Sequence, residues 1–253
     1  MALVQRYGKL DIFLTMTCNP NWQEITNELS LHEESQNRPD LVARVFHAKV
    51  EELKDQLFKR QIFSKVSAYI YVIEHQKRGL PHAHFLIILH MDRKVYAPES
   101  FDEIVLAEIL DKNTNMHLHN VVVKHMMHGP CGALNPSNVC MKRNGCCKSN
   151  SPKNYAYATT VGNDSFPIYR RKNNGITVKV RGKNLDNCWV VPYNPYLLAT
   201  FDCHINVEIC STIQAVKYLY KYIYKGRDRI AFNLVSEQNN QQVDEIQQFQ
   251  SAR

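Results

Sequence analysis

Pro81-His82-Ala83-His84-Phe85-Leu86-Ile87-Ile88-Leu89 sets two histidines one residue apart at the head of an apolar run. Phe85 to Leu89 is apolar throughout, and Lys77-Arg78-Gly79-Leu80-Pro81 precedes the pair, which predicts a turn and then a short buried strand. Side chains alternate faces along a strand, so His82 and His84 point one way and Ala83 the other. Their Cα atoms then lie about 7 Å apart, and the two imidazoles can converge on one cation. Two solvated or hydrogen-bonded residues at a strand end would look the same, so the surrounding chain has to decide.

Upstream, Val66 to Ile73 is β-branched and aromatic and predicts a second strand. It ends at Glu74-His75-Gln76, turns through Lys77 to Pro81 and returns as the histidine strand. This β-hairpin brings Glu74 close to His82 and His84. A carboxylate beside two imidazoles is a three-ligand set for Mg²⁺ or Mn²⁺, with positions left for phosphate oxygens and water. Gln76 has the same strand parity and is the reserve third ligand; His75 has the opposite parity.

Leu10 to Thr17 predicts a further strand, stopped by Cys18-Asn19-Pro20-Asn21. Short helical character runs from Trp22 to Leu31. A stronger helix opens at Pro39 and reaches Arg60, with Leu41, Val45, Val50, Leu53, Leu57 and Phe58 as its apolar stripe. Ser100 to Leu110 predicts a helix in which Ser100 and Glu103 form a capping box. Leu118 to Met127 fits helix or strand. Trp189 to Tyr193 and Cys203 to Glu208 predict two more strands, and His204 alone reads as structural.

A chain of 253 residues with 44% hydrophobic and 22% charged content is that of a globular protein able to bury a sizeable core. No apolar run approaches the roughly 18 residues of a membrane span, and the first residues lack the apolar centre of a secretory signal. The expectation is an intracellular protein whose eight cysteines are thiols or metal ligands rather than disulfides. A formal charge of +7 favours a polyanionic partner.

Between about 128 and 153 the chain is irregular and rich in Gly, Pro, Asn and Ser. His128, Cys131, Cys140 and Cys146 form an H-x2-C-x8-C-x5-C series there. A tetrahedral Zn²⁺ would hold such a loop together; unligated surface thiols are the alternative. Residues 154 to 185 are polar and basic, including Tyr169-Arg170-Arg171-Lys172 and Lys179-Val180-Arg181-Gly182-Lys183, which read as phosphate contacts or a solvated loop.

Ser211 to Lys225 predicts a helix with Gly226 just past its end. At about 100° per residue, Ile213, Val216, Leu219, Tyr220 and Ile223 share one side. Tyr218 and Tyr222 fall on the opposite side with Lys221 and Lys225. A phenol can attack phosphorus and leave the protein attached to a DNA 5′ end. With a reference pKa near 10, only about 0.1% is phenolate at pH 7. A metal polarising the phosphate, with lysines nearby, would make the attack feasible. Tyrosines that stack on bases or cover the surface are the plainer alternative.

Phe13-Leu14-Thr15-Met16-Thr17-Cys18-Asn19-Pro20, Glu74 to His84, His128-Gly129-Pro130-Cys131-Gly132, Asp186 to Pro195 and Lys217 to Tyr222 together resemble the replication-initiator (Rep) domain of Helitron transposons. The blocks follow the family's order from about Gly8 to Arg229. The resemblance implies one α+β domain over residues 1–253: a central antiparallel sheet flanked by helices, of the HUH endonuclease type, with the Cys/His-rich stretch as an insertion. It implies His82 and His84 as metal ligands, Tyr218 and Tyr222 as nucleophiles, single-stranded DNA at transposon ends as partner, and work in the nucleus. The activity would be nicking through a covalent 5′-phosphotyrosine in rolling-circle transposition; a transposon-derived DNA-binding module without catalysis is the alternative. Family members usually continue into a helicase domain in the same polypeptide. These residues contain no G-x-x-x-x-G-K-[ST] loop, so no helicase or ATPase activity is expected of them. The segment from Lys142 to Lys153 also departs from the family pattern by a shift of about one residue.

Overall fold

The structure is a computed structural model that describes residues 6–75, 80–94, 97–142, 144–162 and 166–210. The histidine strand, β3 (Pro81–Leu89), is buried along its whole length. That follows from its place in the sheet. It pairs antiparallel with β2 (Val66–His75) on one side and with β1 (Ile12–Thr17) on the other, and β1 pairs with β6 (Ile205–Ile209). The sheet has four strands in the order β2-β3-β1-β6, all antiparallel. The fold is therefore α+β, as expected, with helices packed against an antiparallel sheet.

Strand alternation gives the sheet two unlike faces. One face puts Ile12, Leu14 and Met16, Ala83, Phe85 and Ile87, and Ile205, Val207 and Ile209 into the main core. Over it pack α1 (Gln23–Thr26) and α2 (Pro39–Lys54), the latter burying Leu41, Val42, Phe46, Val50 and Leu53. Further α-helices are α3 (Pro98–Ile104), α4 (Met116–His125) and α5 (Pro195–Phe201). The opposite face is apolar at one end, where Phe13, Leu86 and Ile88 cluster. At the other end it carries Thr15, Thr17, His82 and His84.

Several elements differ from their sequence reading. The helix expected over Trp22–Leu31 is one turn, Gln23–Thr26. The long helix stops as α-helix at Lys54 and continues as a π-turn over Asp55–Lys59. The Ser100 capping box does not form: Pro98 takes the first turn, Ala97 is the cap residue without a side-chain bond, and the helix ends at Ile104. Proline's fixed φ suits that first turn, which moves the start two residues upstream. The ambiguous 118–127 stretch is the helix α4, capped by Asn115 Oδ1 accepting from Leu118 N at 3.0 Å. Trp189–Tyr193 is not a strand; a 3-10 turn over Asn187–Trp189 leads into isolated bridges at Val190 and Tyr193.

The basic stretch 169–172 is largely used inside the protein. Arg171 is buried, and its Nη1 donates to the carbonyl oxygens of Ala107, Asn187 and Val190 at 3.1, 2.8 and 2.6 Å. Arg170 pairs with Asp102 and Glu108. The second basic run forms the small hairpin β4 (Val178–Val180) and β5 (Lys183–Leu185). Its two-residue turn, Arg181-Gly182, has positive φ at both positions, the geometry that matches strand twist in tight hairpins.

Candidate functional site

Register brings the histidine pair its neighbours. Thr17 stands opposite His82 and Thr15 opposite His84 across β1–β3, while Glu74 stands opposite His82 across β2–β3. Each imidazole is held through its Nδ1: Thr17 Oγ1 lies 2.8 Å from His82 Nδ1, and Thr15 Oγ1 lies 2.9 Å from His84 Nδ1. The rings are nearly parallel, 8° apart, with centroids separated by 6.3 Å. His84 Nε2 sits 3.5 Å from Glu74 Oε2. When Nδ1–H donates to the threonine oxygen, that contact fixes the tautomer and the ring orientation. Two imidazoles and a carboxylate thus stand as neighbours across β2 and β3.

Both histidines are 8% exposed. His84 also stacks on Phe13 (centroids 6.0 Å, 4°), and Phe13 on Phe166 (6.5 Å, 26°). A row of four near-parallel rings thus runs along this face from His82 to Phe166. The reserve ligand Gln76 and the residues Tyr218, Lys221 and Tyr222 lie outside the described residues.

A second cluster forms in the irregular stretch. Donor atoms of His128, Cys131, Cys140 and Cys147 all lie within 4.8 Å of one another. Here the structure corrects the expected ligand set: Cys147, not Cys146, completes the group. Met141 and Cys147 bridge in antiparallel fashion, with Lys148 N bonded to Cys140 O and Lys142 N to Cys146 O. Neighbours in such a ribbon point to opposite sides, so Cys147 turns inward and Cys146 is exposed. The group fits a tetrahedral metal such as zinc, whose ligand atoms stand roughly 3.5–3.8 Å apart at ordinary bond lengths. His128 Nε2 and Cys147 Sγ are already 3.5 Å apart, and Ser149 N donates to Cys147 Sγ at 3.3 Å.

The thiols carry the electrostatic signature of crowded ligands. Burial, reinforced by Cys140 and Cys147, pushes the Cys131 thiol up to about 12, and burial raises Cys140 as well. Burial also acts to raise Cys147, but bonds from the Ser151 and Ser149 backbone and the neighbouring thiols outweigh it and lower that group. A cation among them would favour the thiolate forms of Cys131 and Cys140, which the bare cluster opposes. All eight cysteines are free thiols. Cys131, Cys147, Leu185, Cys188 and Trp189 make a small core of their own under this stretch.

Sequence reasoning missed Thr15 and Thr17. The signal was present: T-x-T on a strand has the same parity as H-x-H, but only knowledge of the β1–β3 pairing makes the match visible. His204 is structural, as read, with Nδ1 2.8 Å from the His125 carbonyl. No helix among the described residues is long and apolar enough to cross a membrane.

Residues 1–87 match the family described as the Helitron helicase-like domain at the N-terminus. The resemblance read from the sequence holds over this stretch, which contains Thr15, Thr17, Glu74, His82 and His84. The Cys/His cluster and the tyrosine segment lie beyond it. No curated protein matches the chain.

Proposed function

From the Helitron helicase-like domain over residues 1–87, we propose that the protein is an HUH-type single-stranded DNA endonuclease and strand transferase of a rolling-circle transposon. The observation that carries this reading is the pair of parallel imidazoles, each held at Nδ1 by one threonine, with Glu74 alongside. A Mg²⁺ or Mn²⁺ ion bound there would supply polarisation of the scissile phosphate. The rest falls to the chain. His82, His84 and Glu74 fix the position of that charge, and Thr15 and Thr17 fix the histidines. The phenol oxygen of Tyr218 or Tyr222 attacks phosphorus; a tyrosine–phosphate bond forms as the bond to the 3′ oxygen breaks. The phenol gives up its proton in the attack, and that oxygen leaves with the electron pair and takes up a proton in turn, giving a free 3′ hydroxyl. Lys221, between the two tyrosines in sequence, offers a cation for the phosphate charge. The second tyrosine serves a second cleavage. The four-ligand Cys/His group would hold Zn²⁺ in a structural role, and the protein works in the nucleus on transposon ends, beside a helicase domain.

The test is a labelled single-stranded oligonucleotide carrying a transposon end, incubated with Mn²⁺ or Mg²⁺ and then denatured. A protein–DNA adduct that maps to Tyr218 or Tyr222, and disappears in His82→Ala and His84→Ala, is the expected result. Salt-sensitive binding without any adduct would instead identify a non-catalytic DNA-binding module.

A further inference from the structure

Beyond the histidine pair, the same sheet face continues onto β6. Across the strands, Val72, His84, Thr15 and Asn206 form one row, and Ile70, Leu86, Phe13 and Glu208 the next. Asn206 and Glu208 therefore share the face that carries the histidines, two strands away. They line a cavity of about 530 Å³, together with Phe166, Trp189, Lys148 and Lys153. That volume lies within the range of small-molecule sites, about 300–1,000 Å³. Phe166 is also the last ring of the row that ends at His82.

Buried polar atoms are almost always hydrogen-bonded, so an exception needs a reason. Among the described residues, three buried side-chain nitrogen or oxygen atoms lack a partner: Arg170 Nε, Asn206 Oδ1 and Glu208 Oε2. Two of the three belong to residues that line this cavity, and both are acceptors. The Arg170 nitrogen at least faces Glu108 Oε2 at 3.5 Å. Beside the Glu208 carboxyl lie the Tyr169 hydroxyl and the Asn206 amide. With its NH2 turned to the carboxylate, the amide leaves Oδ1 as a second acceptor. Burial pushes Glu208 up to about 7, against the pull of Tyr169, Arg171 and Lys153.

We infer that this cavity takes one unstacked guanine of the bound DNA strand, its N1–H and N2–H donated to Glu208 Oε2 and Asn206 Oδ1. Guanine alone among the four bases presents two adjacent donors on its pairing edge; the others present one donor beside an acceptor. Phe166 and Trp189 supply aromatic walls for a base, and Lys148 and Lys153 supply cations for its phosphate. The cavity would thus set which nucleotide stands beside the scissile position. This inference rests on the single-strand DNA reading above, but not on cleavage.

The test uses the full chain without added Mg²⁺ or Mn²⁺ and reads binding alone, by fluorescence anisotropy. An oligothymidylate is compared with versions carrying one guanine, or one hypoxanthine, at each position in turn. Guanine at one position should tighten binding about tenfold, as expected for a good paired contact to a base edge. Hypoxanthine, lacking the N2 amino group, should recover only part of that gain. Glu208→Gln replaces an acceptor with a donor and should erase the guanine advantage while oligothymidylate binding stays; Asn206→Ser gives an independent reading should the first variant fold poorly. An equal affinity at every position, or an advantage untouched by both variants, overturns the inference. Competition by free deoxyguanosine monophosphate with no preference in the strand would show a mononucleotide site and overturn it too. Guanine preference without an adduct in the nicking assay would leave this inference standing and remove the nuclease; an adduct without preference would do the reverse.

Discussion

Thr15 and Thr17 each spend one hydroxyl on one imidazole, and that is where the proposed cation site is most open to test. Outer contacts of this kind typically account for 10–100-fold in metal affinity because they fix tautomer and ring orientation. Thr15→Val and Thr17→Val keep the β-branched shape that the strand needs. Each is expected to weaken Mn²⁺ binding by about tenfold or more with little loss of stability, as read by calorimetric titration and thermal unfolding. Unchanged affinity in both would mean that the hydroxyls merely satisfy strand-end histidines. Nothing local in the sequence ties Thr15 to His84, which lies 69 residues away. The parity of each pair was legible, but their partnership was not.

At the scale of elements, the Cys/His ribbon shows how one residue of register changes a ligand set. Cys146 and Cys147 are adjacent and chemically alike; only the bridge between Met141 and Cys147 decides which one faces His128. The structure therefore makes opposite predictions for the two. Cys147→Ser should lose bound zinc and loosen the 128–153 stretch to proteolysis, whereas Cys146→Ser should retain the full zinc content by elemental analysis. Loss of zinc in Cys146→Ser with retention in Cys147→Ser would reverse the assignment, and absence of zinc from the folded wild type would remove the site. Spacing alone had pointed to Cys146 because it cannot see which side of a ribbon a thiol takes. The Ser100 capping box failed for a related reason: a proline upstream offered the helix an earlier start.

For the molecule as a whole, Arg171 is the link between segments distant in sequence. One nitrogen joins the chain after α3, at Ala107, to the Asn187–Val190 turn. Asn187 repeats the connection, its Oδ1 accepting from Ile109 N at 2.7 Å and its Nδ2 donating to Lys172 O at 2.7 Å. Burial lowers the Arg171 pKa, and Glu208 is the first of the acidic groups that oppose the shift. Removing such a group strands buried carbonyls, at roughly 1–3 kcal/mol for each one left unsatisfied. Arg171→Met is accordingly expected to lower stability by about 3 kcal/mol or more, measured by urea unfolding. A loss below about 1 kcal/mol would show that the carbonyls find other partners. In the sequence this arginine sat in a basic run that looked suited to phosphate. Composition records the charge of a residue and not the depth at which the fold places it.

The sequence by itself determined the hairpin, the shared face of His82 and His84, and the approach of Glu74, because strand parity and a short turn are local rules. It also carried the family blocks that suggest DNA nicking, of which the tyrosine segment lies outside the described residues. Only the tertiary structure decided that β1 lies between β3 and β6, and everything that depends on that order follows from it. The threonines at the imidazoles, the ring row to Phe166, and Asn206 with Glu208 on the histidine face are contacts across strands separated by about 65 residues or more in the chain. Such pairings are selected by burial of a common core, which sums over the whole molecule and leaves no mark in any short window of sequence.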